Sequence, residues 1–212
     1  GLKALVTTSD GWQVKPPKHL KAHAKRMKHL QREVSRKRKG SKNRVTAIEK
    51  MAKQSRKVAR TRRDFNHKLS RQIADKYDFV AREDLQIRNM VRNHCLAKSI
   101  HDAGWNQLGG FIDYKVGRKG NQSVQVYAPG TTTDCCVCKH SQEMPLWNRI
   151  YSCPACGNTI DRDENAARNV LERGLLQVGE DIANLKPVES GVQPCRTTDM
   201  ASPFCEAGTV PG

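Results

Sequence analysis

Apolar positions along the chain follow more than one rhythm. Leu2, Ala4, Leu5 and Val6 form a short apolar run, Thr7-Thr8-Ser9-Asp10-Gly11 supplies turn residues, and Trp12-Gln13-Val14 returns as a second strand. Pro16-Pro17 stops this hairpin. Leu20, Met27, Leu30 and Val34 then recur at helical spacing, and Gly40-Ser41-Lys42-Asn43 breaks the pattern. Val45, Ile48, Met51, Val58, Phe65, Leu69 and Ile73 resume it. The simplest structure for this stretch is two antiparallel helices with a narrow apolar seam and broad polar outer faces. Tyr77 to Arg82 predicts a buried strand ending at Glu83-Asp84, and a helix is predicted from about Val91 to Ala103, with Cys95 as a small core residue. Trp105 to Tyr114 reads as less regular, while Ser123 to Tyr127 alternates as a strand that Pro129-Gly130 ends. Ile160-Asp161-Arg162-Asp163 opens a helix running through Ala166, Ala167, Val170 and Leu171. From Lys186 onward, Pro, Gly, Ser and Thr without periodicity predict a disordered tail.

Charge changes this picture from a fold into a binding surface. The 212 residues carry a formal net charge of +17, and it is not spread evenly. Lys15 to Arg63 holds 20 basic and 2 acidic residues, a net of +18, so the rest of the chain is close to neutral. Concentrated basic charge on a helical hairpin is the footprint of a polyanion, above all of nucleic acid. Candidate phosphate contacts are Lys25, Arg26, Arg36, Lys37, Arg38, Lys39, Lys42, Arg44, Arg56, Lys57 and Arg60. The competing reading is a solvated charged helix. No apolar run reaches membrane-span length, which argues against a membrane protein. The chain starts at Gly1 on what reads as a strand already under way, so a fragment or N-terminally truncated chain is expected.

Four of the eight cysteines form two CxxC pairs, Cys135/Cys138 and Cys153/Cys156. Two such knuckles joined by a short ribbon can place four thiolates at the corners of a tetrahedron, the preferred environment of structural zinc. Gly157 suits the tight turn after the second knuckle. Cys136 could replace Cys138 only with a poorer loop, and His140 is a further potential ligand. Disulfides or a redox pair are the alternatives, disfavoured in a basic chain without a signal peptide. Cys195 and Cys205 lie in the tail and receive no role. A closed four-thiolate site leaves no open coordination position, so any catalysis must come from elsewhere.

Two carboxylates stand where elements end: Glu83 after the strand 79–82, and Asp163 at the start of the last helix. Acids gathered at a sheet edge need a counter-charge, which a divalent cation supplies. Two Mg²⁺ ions roughly 4 Å apart, held by three carboxylates, would suit phosphodiester hydrolysis. The alternative is that Glu83 caps a turn and Asp163 caps a helix N-terminus. Asp84 and Asp161 are neighbours able to exchange roles with them.

These motifs together resemble the C-terminal half of TnpB (OrfB) proteins, RNA-guided nucleases of insertion-sequence transposons that are related to compact type V CRISPR effectors. Thr131-Thr132-Thr133-Asp134-Cys135, the two knuckles, and Asp161-Arg162-Asp163-Glu164-Asn165-Ala166-Ala167-Arg168-Asn169-Val170 carry the resemblance. Ser9-Asp10-Gly11, Pro17-Lys18-His19-Leu20, Asp64 to Ser70, Glu83-Asp84-Leu85 and Asp102 to Trp105 extend it over about residues 1–175. The resemblance implies an α/β, RNase H-like (RuvC) mixed sheet, with a basic helical hairpin and a zinc ribbon inserted. The segments would be 1–14, the first RuvC strands with the leading strand truncated; 15–76, the basic hairpin; and 77–130, the RuvC continuation. The zinc ribbon would be 131–158, the last RuvC segment with its helix 159–180, and the disordered tail 181–212. It implies structural zinc on Cys135, Cys138, Cys153 and Cys156, and catalytic magnesium on Glu83 and Asp163. It also implies guide RNA and target DNA as partners, and a bacterial or archaeal cytoplasmic setting at the nucleoid. No membrane role is expected, and a monomer or weak dimer is. The family's first catalytic Asp would precede Gly1, and Asp10 sits in the wrong place to replace it. The chain by itself is therefore expected to lack cleavage activity. A truncated relative that binds nucleic acid without cutting it is the second reading. An unrelated zinc-ribbon RNA-binding protein is the third, and it leaves the Asp-Arg-Asp-x-Asn-Ala-Ala run unexplained.

Overall fold

A computed structural model describes residues 4–145 and 147–184, with side chains as far as residue 179. The chain runs β1 (Val6–Thr7), β2 (Gln13–Val14), α1 (His19–Arg36), α2 (Lys42–Lys76), β3 (Phe79–Glu83) and α3 (Ile87–Met90). It continues through α4 (His94–Ala103), α5 (Trp105–Arg118), β4 (Gln122–Val126), β5 (Ile150–Ser152), β6 (Thr159–Asp161) and α6 (Arg162–Asn184). The predicted tail, with Cys195 and Cys205, lies outside the described residues.

The strands form three two-stranded sheets: β1–β2 antiparallel, β3–β4 parallel, and β5–β6 antiparallel. In the parallel pair Phe79 faces Gln122 and Glu83 faces Val126. Parallel strands need a crossover connection, and α3, α4 and α5 supply it. The main core lies between the lower part of α2, α5 and the first hairpin, with Leu5, Leu69, Ile73, Ala74, Leu108, Ile112 and Val116 buried together. Trp105 closes one side and donates its indole N–H to the Leu5 carbonyl at 3.1 Å.

The long helix starts where Ser41 accepts a hydrogen bond from the Arg44 backbone N–H, the N-cap that the break at Gly40 allows. At 35 residues it spans about 52 Å. Its upper part pairs only with α1. The apolar stripe there differs from the expectation. Val45 and Ile48 are exposed, and the seam is instead built from Ala47, Gln54 and Val58, with Leu30 buried on α1. A small residue lets two helices approach, and the bulkier flanking side chains are left in solvent.

Two further corrections concern the second half. Trp105 to Tyr114, expected to be irregular, lies within helix α5. Leu108, Ile112 and Val116 hold one helical face, and the pair Gly109-Gly110 hides that period in the sequence. Gly109 has a packing role, because a Cβ there would lie 3.1 Å from the Arg82 guanidinium. Cys95, expected in the core, is exposed in the first turn of α4, where Asn93 caps its backbone N–H.

Helix α6 packs across β3 and β4 and also touches β1, β5 and β6. The contact is close at Gly174, where a Cβ would stand 2.5 Å from Ala81 Cβ and 3.1 Å from Val124 Cγ2. Neither neighbour is a flexible side-chain end. Among the described residues no helix is long and apolar enough to cross a membrane.

Gly174→Ala should therefore lower stability by about 1–3 kcal/mol. Gly179→Ala, with nothing within 4 Å on the same helix, should raise it by about 0.5–1 kcal/mol. Urea unfolding of the two variants side by side measures both. Equal effects would remove the close-packing account.

Candidate functional site

The four CxxC cysteines come together. Their sulfur atoms all lie within 4.8 Å of one another. Cys135 and Cys156 are 3.7 Å apart, and Cys138 and Cys153 are 3.5 Å apart. Four sulfurs about 2.3 Å from a tetrahedral zinc would be ~3.8 Å apart, so the donor set fits that ion in number, type and spacing. The two knuckles share one backbone pattern. The Cys135 N–H donates to the His140 carbonyl and the Lys139 N–H donates to the Cys135 carbonyl. In the second knuckle the Cys153 N–H donates to Asn158 and the Gly157 N–H donates to Cys153. The fifth residue of each is left-handed, with φ 73° at Gly157 and 63° at Lys139.

Lysine is a costly choice at positive φ. Its ammonium explains it: Lys139 Nζ ties to Asn169 Oδ1 at 3.2 Å and pairs with Glu172, both on α6. Cys136 stays outside the cluster, with its backbone N–H held by Asn165 Oδ1 at 2.9 Å. The His140 carbonyl shapes the knuckle, accepting from both Cys135 and Tyr151. Burial opposes ionisation of Cys135, but the N–H groups of Cys138 and Val137 and the neighbouring thiols of Cys156 and Cys153 outweigh it and bring its thiol down to about 6. Burial also pushes the Tyr151 hydroxyl up to about 12, with the Cys135 and Cys153 charges acting the same way.

Glu83 and Asp163, eighty residues apart in sequence, line one cleft of about 800 Å³. Glu83 is the last residue of β3, and its Oε1 accepts the Thr131 hydroxyl at 3.0 Å. Asp163 sits in the first turn of α6 and is not the cap. Asp161 Oδ1 takes that role, accepting the N–H of Asp163 at 2.9 Å and of Glu164 at 3.3 Å. The Asp163 carboxylate is thereby left to the cleft, where Arg149 at 3.5 Å and Arg162 at 3.6 Å face it at loose distances. Asp84 also borders the cleft, and its side chain accepts from Gln86 at 3.4 Å. Asp113 lines the same cavity but is held by Arg82 at 2.5 Å and Ser123 at 2.7 Å. Asp10 is turned to the end of α2: Lys76 at 2.6 Å, with Thr8 and the Tyr77 hydroxyl, holds its carboxyl far below the usual range. Among the described residues, no set of three carboxylate or histidine ligands converges on one point.

The basic hairpin keeps its charge in solvent. Of the eleven candidate residues, ten are exposed and Arg44 is half-buried. None of the eleven forms an ion pair with a described carboxylate. Arg56, Lys57 and Arg60 share one face of α2 with Lys53, which the sequence reading passed over. Sequence reading also passed over Thr131, Arg149, Asn165 and Asn169. Thr131 and the asparagines were visible only as landmarks, and their buried polar roles have no periodic signal.

A mixed α/β core, a paired-knuckle thiolate cluster that fits a metal ion and a cleft lined by two carboxylates describe a basic protein, and comparison with known proteins narrows the class. A family model described as "Probable transposase" (OrfB_IS605) matches residues 1–94, and one described as "Cas12f1-like, TNB domain" matches residues 105–170. The chain is 39% identical over 178 residues to a "Putative RNA-guided DNA endonuclease" of Streptomyces pristinaespiralis, covering 82% of this chain and 44% of that protein. It is 30% identical over 207 residues to "Putative RNA-guided DNA endonuclease InsQ" of Escherichia coli K12, covering 89% and 52%. The solved Cas12f1–sgRNA–target DNA complex holds a chain of similar fold, with TM-score 0.52 and 18% identity over 75% of this chain and 43% of that one. The chain belongs to the TnpB (OrfB) family. It spans about half the length of the curated relatives it matches.

Purified protein should carry one zinc per chain by elemental analysis. A strong chelator should open the 131–160 region to protease, because structural metal binding is coupled to folding. A protease pattern indifferent to chelation would refute the thiolate site.

Proposed function

We propose that the chain is the nuclease-bearing part of a TnpB-like RNA-guided DNA endonuclease. The observation that carries this reading is the convergence of Glu83 and Asp163 on one cleft beside the thiolate module. In this reading β1–β2 and β3–β4 belong to one RNase H-like (RuvC) sheet, bridged by α6. The stretch 15–76 is its inserted basic hairpin, and 131–158 its inserted zinc ribbon. The zinc is structural. Residues 5–9 and 79–85 line the cleft without a gap, so strand edges border it, and an extended segment has edges on both sides to pair with.

Glu83 and Asp163 would hold magnesium. A bound divalent cation lowers the pKa of a water molecule and offsets charge on the phosphate under attack. The residues present fit that task. Both carboxylates are partly exposed to the cleft, and Asp163 faces only loosely spaced guanidinium groups. Thr131 fixes one Glu83 oxygen, and among the described residues no side chain donates to the other. The exposed cations of α1 and α2 contact the backbones of guide RNA and target DNA, in a bacterial or archaeal cytoplasm.

A second reading, binding without cutting, is favoured by one observation: no third carboxylate joins Glu83 and Asp163 among the described residues. Both readings share the hairpin. Affinity for duplex DNA and for single-stranded RNA should fall linearly in log–log form with salt. Replacing Lys53, Arg56, Lys57 and Arg60 together by Ala should reduce the slope by about 3–4. A flat salt dependence would sink both readings. Incubation with Mg²⁺ then separates them. Binding of nucleic acid without cleavage would favour the second, and cleavage that disappears in Glu83→Ala would establish the first.

A further inference from the structure

The thiolate module and the carboxylate cleft are joined by a run of buried hydrogen bonds. Thr131, 2% exposed, donates its hydroxyl to Glu83 Oε1 at 3.0 Å. The Ala128 carbonyl, at 2.9 Å, competes for the same proton, and an ionised carboxylate is the stronger acceptor. The Thr131 carbonyl accepts from Asn169 Nδ2 at 3.0 Å, and that amide also reaches the Asp134 carbonyl at 2.7 Å. Asn165, fully buried, donates to the same Asp134 carbonyl at 2.8 Å and accepts from the Cys136 N–H at 2.9 Å. Asp134 and Cys136 flank the ligand Cys135. Arg173 adds bonds to the Tyr127 and Pro129 carbonyls, at 3.0 and 2.6 Å. Asn165, Asn169 and Arg173 stand four residues apart on α6, the helix whose first turn carries Asp163.

An alternative partner is hard to find for these groups. Asn165 and Asn169 lie in the interior with their amide N–H groups committed to main-chain carbonyls, and losing such a bond leaves an unpaired buried group. The loop 128–136 therefore has one low-energy arrangement, and that arrangement presents the Thr131 hydroxyl to Glu83. Closing the four thiolates around an ion fixes Cys135, and with it the far end of the same loop.

We propose that the two sites form one coupled unit: Thr131 is a positioning residue for Glu83, and Asn165 and Asn169 pass to it the order that a metal at the thiolates imposes on the Cys135 knuckle. The ligand regulated in this way is a divalent cation at Glu83 and Asp163, so the proposal rests on the reading of those residues given above. Coupling between binding sites is reciprocal. A divalent cation in the cleft tightens zinc at the thiolates by the same factor that zinc tightens the cleft.

The test compares Thr131→Val, which keeps the shape and loses the hydroxyl, with Thr131→Ser, which keeps it. Both are zinc-loaded full chains. Manganese(II) binding is followed by the electron paramagnetic resonance of the free ion. Thr131→Val should weaken binding about tenfold, and Thr131→Ser should bind as the parent does. Zinc content and circular dichroism should be unchanged in both. The carboxyl-carbon NMR signal of Glu83, assigned by its loss in Glu83→Gln, gives a second readout that needs no manganese. It should be single and sharp in the parent and in Thr131→Ser, and broadened or split in Thr131→Val and after zinc removal. An unchanged Glu83 signal in Thr131→Val overturns the proposal whether or not manganese binds. Manganese binding that survives Glu83→Gln refutes the cation-site reading, a separate failure.

Discussion

The packing of α6 against β3 and β4 is the contact on which the other elements depend. Among the described residues each sheet has two strands, and an isolated two-stranded sheet is at best marginal in water. Helix α6 touches a strand of all three sheets. It can do so because Gly174 removes the one Cβ that would hold it off Ala81. The helix then acts as a spine. Its first two turns carry Asp163 and the asparagines that hold the cysteine module, and its apolar side covers the parallel pair that ends in Glu83.

Much of this was legible in the sequence, for identifiable reasons. The hairpin helices, strand β3 and the helix after Asp161 have strong periods or clear breakers, and the structure forms them close to where the pattern puts them. The four thiolates were legible because metal geometry constrains their spacing directly. Helix α5 was not, because Gly109 and Gly110 interrupt its apolar period, Gly109 to make room for Arg82. Val45 and Ile48 misled because hydrophobicity alone does not say which side of a long, lightly packed helix faces its partner. The division of labour between Asp161 and Asp163 was beyond the sequence. Two acids separated by one residue at a helix start are interchangeable until the backbone shows which one reaches the orphan N–H groups.

The charge distribution and the core distribution are complementary. The upper part of α2, with α1, holds most of the cations and few of the buried residues, while the lower part of α2 holds Leu69, Ile73 and Ala74. A hairpin of this kind gains little by folding alone. Its like charges repel one another, and a polyanion laid along them would relieve that repulsion. Anchoring one of its helices in the main core keeps the surface in place at a cost that the core, not the hairpin, absorbs.

The thiolate cluster has a dry side and a wet side. Cys135 and Cys153 are buried, whereas Cys138 and Cys156 are exposed. Each knuckle therefore contributes one ligand of each kind, and the buried one comes first in each pair. An incoming chelator or oxidant would meet Cys138 and Cys156 first, so a metal held by the four thiolates would leave by shedding one ligand from each knuckle rather than by opening either knuckle whole. The half-released ion would still bridge the two knuckles through Cys135 and Cys153. Recapture would then be intramolecular and fast, and exchange of the ion slow compared with the motions of its exposed ligands.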